Sequence, residues 1–87
     1  MRPTPTQHFA IEALLNQLIG RDVYDQYFLG VEFALLLNSK LNVFAADAMC
    51  AQVLANKYGC EIAIAAEHIL SSPVQEVIVT GRLRRTA

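Results

Sequence analysis

Apolar residues first fall into a helical pattern at Ile11, Leu14, Leu15 and Leu18, which form one stripe while Glu12, Asn16 and Gln17 point away from it. Thr4-Pro5-Thr6-Gln7 supplies a capping hydroxyl, a proline suited to the first turn and a glutamine able to reach back to the cap, and Gly20 ends the run. An amphipathic helix is predicted there. From Asp22 to Asn38 the chain is apolar nearly all round, and Tyr24, Phe28, Val31 and Leu35 recur at i, i+4, i+7 and i+11, which predicts a second, mostly buried helix. Asn38-Ser39-Lys40 breaks the pattern. A third helix is predicted from Val43 to Tyr58, capped by Asn42 and stopped by Gly59 in a left-handed C′ position. Its alanines, Ala45, Ala46, Ala48, Ala51 and Ala55, combine helix propensity with room for a neighbouring backbone. A fourth helix runs from Glu61 to Leu70, with Ile62, Ala65, Ala66 and Ile69 on one side.

After Ser72-Pro73-Val74-Gln75, which repeats the hydroxyl-proline-x-glutamine form of the first cap, the β-branched run Val77-Ile78-Val79-Thr80 before Gly81 favours a strand over 76–83. Such a strand needs a neighbour, either the segment Cys60–Ala66 or the same strand of a second subunit. The expected fold is therefore mostly α: a small bundle of about four helices with a C-terminal β-strand at 76–83. Residues 1–87 make a single domain with a short proline-containing lead (1–5) and a basic tail (82–87).

Composition adds a reason to associate. Only 17% of the 87 residues are charged and 54% are hydrophobic, against a usual charged share of about a quarter. So apolar a chain is expected to cover surface by forming a homodimer, with Tyr24, Tyr27, Val31 and Leu35 on the second helix as the partner and dimer interface. Arg82, Arg84 and Arg85 offer an electrostatic contact behind an acidic body. The proline-bearing start has no secretory pattern, and Glu32 interrupts the most apolar segment before it reaches the ~18 residues that would span a bilayer, so a cytoplasmic protein without a membrane partner is expected.

The chemistry-bearing residues are few. Cys50 and Cys60 are too few for a disulfide framework and lack zinc spacing, so no metal and no cofactor is expected. A cysteine nucleophile with His68 as base has no feature to fix its geometry, and no glycine-rich loop or metal-ligand cluster accompanies it, so the chain is not expected to be an enzyme. Residues 51–70 carry alanine at the fifth position, glycine at the ninth and apolar Leu54, Tyr58 and Cys60 around them, a spacing that resembles the DNA-binding helix-turn-helix motif. That resemblance implies base reading from the second helix, but Glu61, Ile62, Ala63, Ile64, Ala66 and Glu67 provide no hydrogen-bond donor there, so nucleic-acid binding is the alternative and not the first expectation. The first is a non-catalytic protein–protein interaction module, a homodimer that acts as a small adaptor or inhibitor by occupying another protein's surface.

Overall fold

The segment expected as one long second helix changes conformation halfway. In the computed structural model, which describes residues 1–82, helix α2 covers only Arg21–Tyr27, and Glu32–Leu37 is strand β1. Gly30, at φ +79°, turns the chain between them. Asn38 (φ 52°) and Ser39 (φ 63°) then form a two-residue turn with both residues left-handed, the geometry that matches strand twist in a hairpin, and β2 follows at Lys40–Ala45. What looked like a helix break is a β-hairpin.

The cap moves accordingly. Asn42 lies inside β2, opposite Leu35 on β1, and the next helix, α3 (Ala48–Lys57), is capped by Asp47, whose Oδ1 accepts from the Cys50 N–H at 2.8 Å. Gly59 does not close α3 with a left-handed turn. It opens α4 (Gly59–Leu70), and Tyr58 alone separates the two helices. Helix α1 (Pro5–Ile19) has the expected start: the Thr4 hydroxyl accepts from the Gln7 N–H and the Gln7 side chain accepts from the Thr4 N–H. Ser71, left-handed at φ 53°, ends α4, and the Glu67 carboxylate accepts from the Val74 N–H at 2.8 Å to aim the chain into β3 (Glu76–Gly81).

The mostly helical bundle is thus replaced by an α+β fold with a three-stranded mixed sheet, ordered β1-β2-β3. β1 and β2 are antiparallel, while β3 runs parallel to β2 from Lys40↔Glu76 to Ala45↔Gly81, so it pairs with neither Cys60–Ala66 nor, along this edge, another subunit. Leu41, Val43 and Ala45 of the central strand alternate inward with Phe33, Leu36, Val77 and Val79 towards the helices. Against them pack Ile11 and Leu15 of α1, Tyr24 of α2, Leu54 of α3 and Ile62, Ala65 and Ala66 of α4. Phe28, wholly buried, stacks on Tyr24 at 5.3 Å and meets the edge of Tyr58 at 5.7 Å.

Phe28 therefore joins α2 to the α3–α4 junction, and Phe28→Ala is expected to lower the unfolding free energy by about 3–5 kcal/mol. Urea denaturation followed by circular dichroism checks this, and a loss under about 1 kcal/mol would mean that the site collapses around the missing ring.

Candidate functional site

Where α1, α2 and β1 meet, three polar side chains form one constellation. His8 Nδ1 lies 2.7 Å from Glu12 Oε1, the Phe33 N–H donates to His8 Nε2 at 3.2 Å, and the Tyr24 hydroxyl donates to Glu12 Oε2 at 2.9 Å. With Nε2 accepting, the imidazole proton sits on Nδ1 and faces the carboxylate. Both ring nitrogens of His8 are engaged within the chain, so the group links two helices to a strand and the imidazole keeps no free nitrogen. Burial first, and the Glu12 hydrogen bond second, push the Tyr24 phenol pKa well above its ordinary value.

The two cysteines give no second chemical centre. Cys60 is exposed, yet it is eight residues from His68 on α4, about 12 Å along the axis. Cys50 is buried on α3. Among the described residues no three histidine, cysteine or acidic side chains cluster as metal ligands.

The edges of the sheet are more informative, because the chain treats them differently. At β1, a bulge between Phe33 and Leu35 interrupts the ladder, and the Leu36 N–H donates to the Met1 carbonyl at 2.8 Å, so that edge is both irregular and covered. β3 has no bulge, proline or lysine, and among the described residues no strand lies beyond it. The Glu76 N–H donates to Ser39 at 3.2 Å and the Arg82 N–H to Ala45 at 3.1 Å, so residues of that parity turn their backbone towards β2. By alternation Val77, Val79 and Gly81 turn their N–H and C=O groups outward.

Beside those outward groups runs a cleft of about 600 Å³ between α3 and β3, walled by Ala48, Ala51 and Ala55 on the helix and by Val79 and Gly81 on the strand. A second cleft, about 430 Å³, shares Ala55 and continues past Ala63 to Val77. Alanine keeps the floor low. Gly81 has its own steric reason: a Cβ there would come within 2.6 Å of the Ala48 N and Cα atoms, so only glycine lets β3 end against the first turn of α3. Met49 stands at the rim, two-thirds exposed.

On the far face of the sheet, Leu35 and Phe44 line a shallow hollow of about 380 Å³. The Arg82 guanidinium reaches Glu32 Oε1 at 2.8 Å, which ties the end of β3 to the start of β1.

These observations disperse the expected interface set. Tyr24 and Val31 are buried in the chain's own core, Tyr27 is partly buried 6.4 Å from Tyr58 on the helical side, and Leu35 lies on the opposite face of the sheet. The four do not share a surface, because the helical stripe on which they were aligned stops at Tyr27. Arg82 is paired with Glu32, and Arg84 and Arg85 fall outside the described residues. The β3 edge and its alanine cleft were missed as a site, although the β-branched run and the small residues at 48, 51 and 55 were both visible. No protein-family model matches the chain, and no curated protein matches it by sequence.

The Tyr24 shift gives a testable pH dependence. The folded phenol holds its proton above the ordinary value of 10.0, so its contribution to stability is present below that pH and is lost as pH rises beyond it. Tyr24→Phe is expected to cost about 1 kcal/mol at neutral pH and to flatten the alkaline fall in stability. Urea midpoints from about pH 9 to 11 compare the two proteins, and parallel slopes would remove Tyr24 as the cause.

Proposed function

We propose that this chain is a small non-catalytic protein-interaction module, and that it engages its partner by accepting an extended strand along the open edge of β3. The supporting observation is the conjunction of the outward N–H and C=O groups of Val77, Val79 and Gly81 with a shallow apolar cleft directly beside them. Main-chain hydrogen bonds supply affinity in this mode of recognition, and the cleft receives alternate side chains of the added strand. Acting as an adaptor or an inhibitor, the module occupies the partner's strand and so its surface.

DNA reading has less support. Only Tyr58 separates α3 from α4, where a helix-turn-helix uses a turn of about three or four residues. Ile62, Ala65, Ala66 and Leu70 of the would-be recognition helix are buried, and its exposed residues include Ile64 and Glu67, the latter already bonded to Val74. No described helix is long and apolar enough to cross a membrane. We assign the module to the cytoplasm, a reducing compartment in which Cys50 and Cys60 stay thiols.

Val79→Pro tests the mechanism, because it removes an outward N–H and takes no bond from the β2 ladder. Proteins captured from host lysate by the intact chain are expected to be lost with this variant, and the complex is expected to protect the Val77, Val79 and Gly81 amides from hydrogen exchange. Capture that survives Val79→Pro, or protection elsewhere only, would sink strand addition.

A further inference from the structure

Resting on the strand-addition function just proposed, we infer that the strand completing the β3 edge is β3 of a second copy of this chain, laid antiparallel about a two-fold axis through Val79. Geometry selects the register. The outward groups belong to Val77, Val79 and Gly81, and the one antiparallel register that maps these three onto themselves pairs Val79 with Val79 and Val77 with Gly81. Every outward N–H and C=O then has a partner, and the two three-stranded sheets become one of six strands.

Charge follows the same register. Glu76, exposed and without an ion-pair partner among the described residues, falls opposite Arg82 of the other copy, while Ile78 falls opposite Thr80. These side chains lie on the face away from the helices. Each Arg82 would then sit between its own Glu32, already at 2.8 Å, and the second copy's Glu76, and a guanidinium has enough donors for both. Slipping the register by two residues separates the charges and leaves an outward residue at each end unpaired.

The helical side is also suited to a second copy. A two-fold axis normal to the sheet brings the two α3 helices together on the same side, over the paired Val79 side chains. What α3 presents there is Ala48, Met49, Gln52 and Ala55, all exposed: the two alanines leave room for the opposite helix, and the flexible Met49 and Gln52 side chains fill what remains. The contrast between the sheet's edges supports this occupant: the β1 edge carries a bulge and is bonded to Met1 at Leu36, whereas the β3 edge, among the described residues, has no bulge, proline or lysine, and its one charge, Glu76, meets an opposite charge in this register.

Sedimentation equilibrium across micromolar to millimolar concentrations tests the inference on four proteins: the intact chain, Val79→Pro, Glu76→Arg and Arg82→Glu. The intact chain is expected at twice its 9.6 kDa mass, with Val79→Pro weakened at least about tenfold. Each charge reversal is expected to weaken self-association by about tenfold, and an equimolar mixture of Glu76→Arg with Arg82→Glu to recover it, because only unlike copies then place opposite charges at both ends. The two surface reversals keep the test valid if the proline variant fails to fold. A 9.6 kDa mass at every concentration overturns the second copy as occupant, while partners captured in a Val79-dependent manner would leave strand addition to another protein standing. A dimer indifferent to Val79→Pro and to both reversals, or a mixture that recovers nothing, also overturns it.

Discussion

Because β3 runs parallel to β2, the chain has to return from Ala45 at one end of the sheet to Glu76 at the other, and residues 46–75 make that journey. The journey is the α3–α4 pair, laid over the inward residues of β2 and β3, with α1 and α2 completing the layer beside β1. Two consequences follow from that constraint. Among the described residues, one face of the sheet receives the helices and the other receives none, and β3, the last strand to arrive, is left at an edge. Parallel strands are commonly covered on both faces. Here the uncovered face keeps Leu35, Phe44 and Ile78 among its charged residues, a composition between core and solvent.

Magnitudes separate what holds the fold from what orients it. Wholly buried side chains such as Phe28, Ile11, Leu15, Leu41 and Ile62 each carry the several kcal/mol that a core residue loses on truncation. The Arg82–Glu32 pair is about half exposed at both ends and contributes at most about 1 kcal/mol. Its use is positional, since it spans the sheet from the third strand to the first. The His8–Glu12–Tyr24 group likewise fixes how α1 and α2 meet β1, through bonds that would otherwise be made to water.

Local signals in the sequence were legible and long-range ones were not. The Thr4 capping box and the β-branched run before Gly81 act through neighbouring residues, and both appear where the pattern puts them. The segment Val31–Leu37 misled because its outward residues, Leu35 and Leu37, are apolar too, which erases the alternation that marks a one-sided strand. Asn38-Ser39 interrupts the apolar run without the glycine that marks a two-residue hairpin turn, yet Asn tolerates positive φ and Ser39 is held there by the pairing of Leu37 with Lys40. Asn42 and Asp47 can both cap a helix, and the choice between them depends on whether Val43–Ala45 pairs with β1, a contact no local pattern records. The interface set failed to assemble for the same reason: Tyr24 and Leu35 share a stripe only on a helix that ends at Tyr27. The open edge of β3 was hidden further still, since which strand lies outermost is a property of topology.

The close approach at Gly81 makes the rim of the sheet and the first turn of α3 a single mechanical part. Ala48 meets Gly81 through backbone atoms, which cannot swing aside as a side chain would. A strand hydrogen-bonded to the outward groups of Val79 and Gly81 would therefore act on peptide units packed against the Asp47 cap and the first turn of α3. At the Gly81 end the edge is held by backbone against backbone. At its other end, around Glu76, it is held by hydrogen bonds alone, with the Gln75 and Glu76 amides sharing the one Ser39 carbonyl of the hairpin turn.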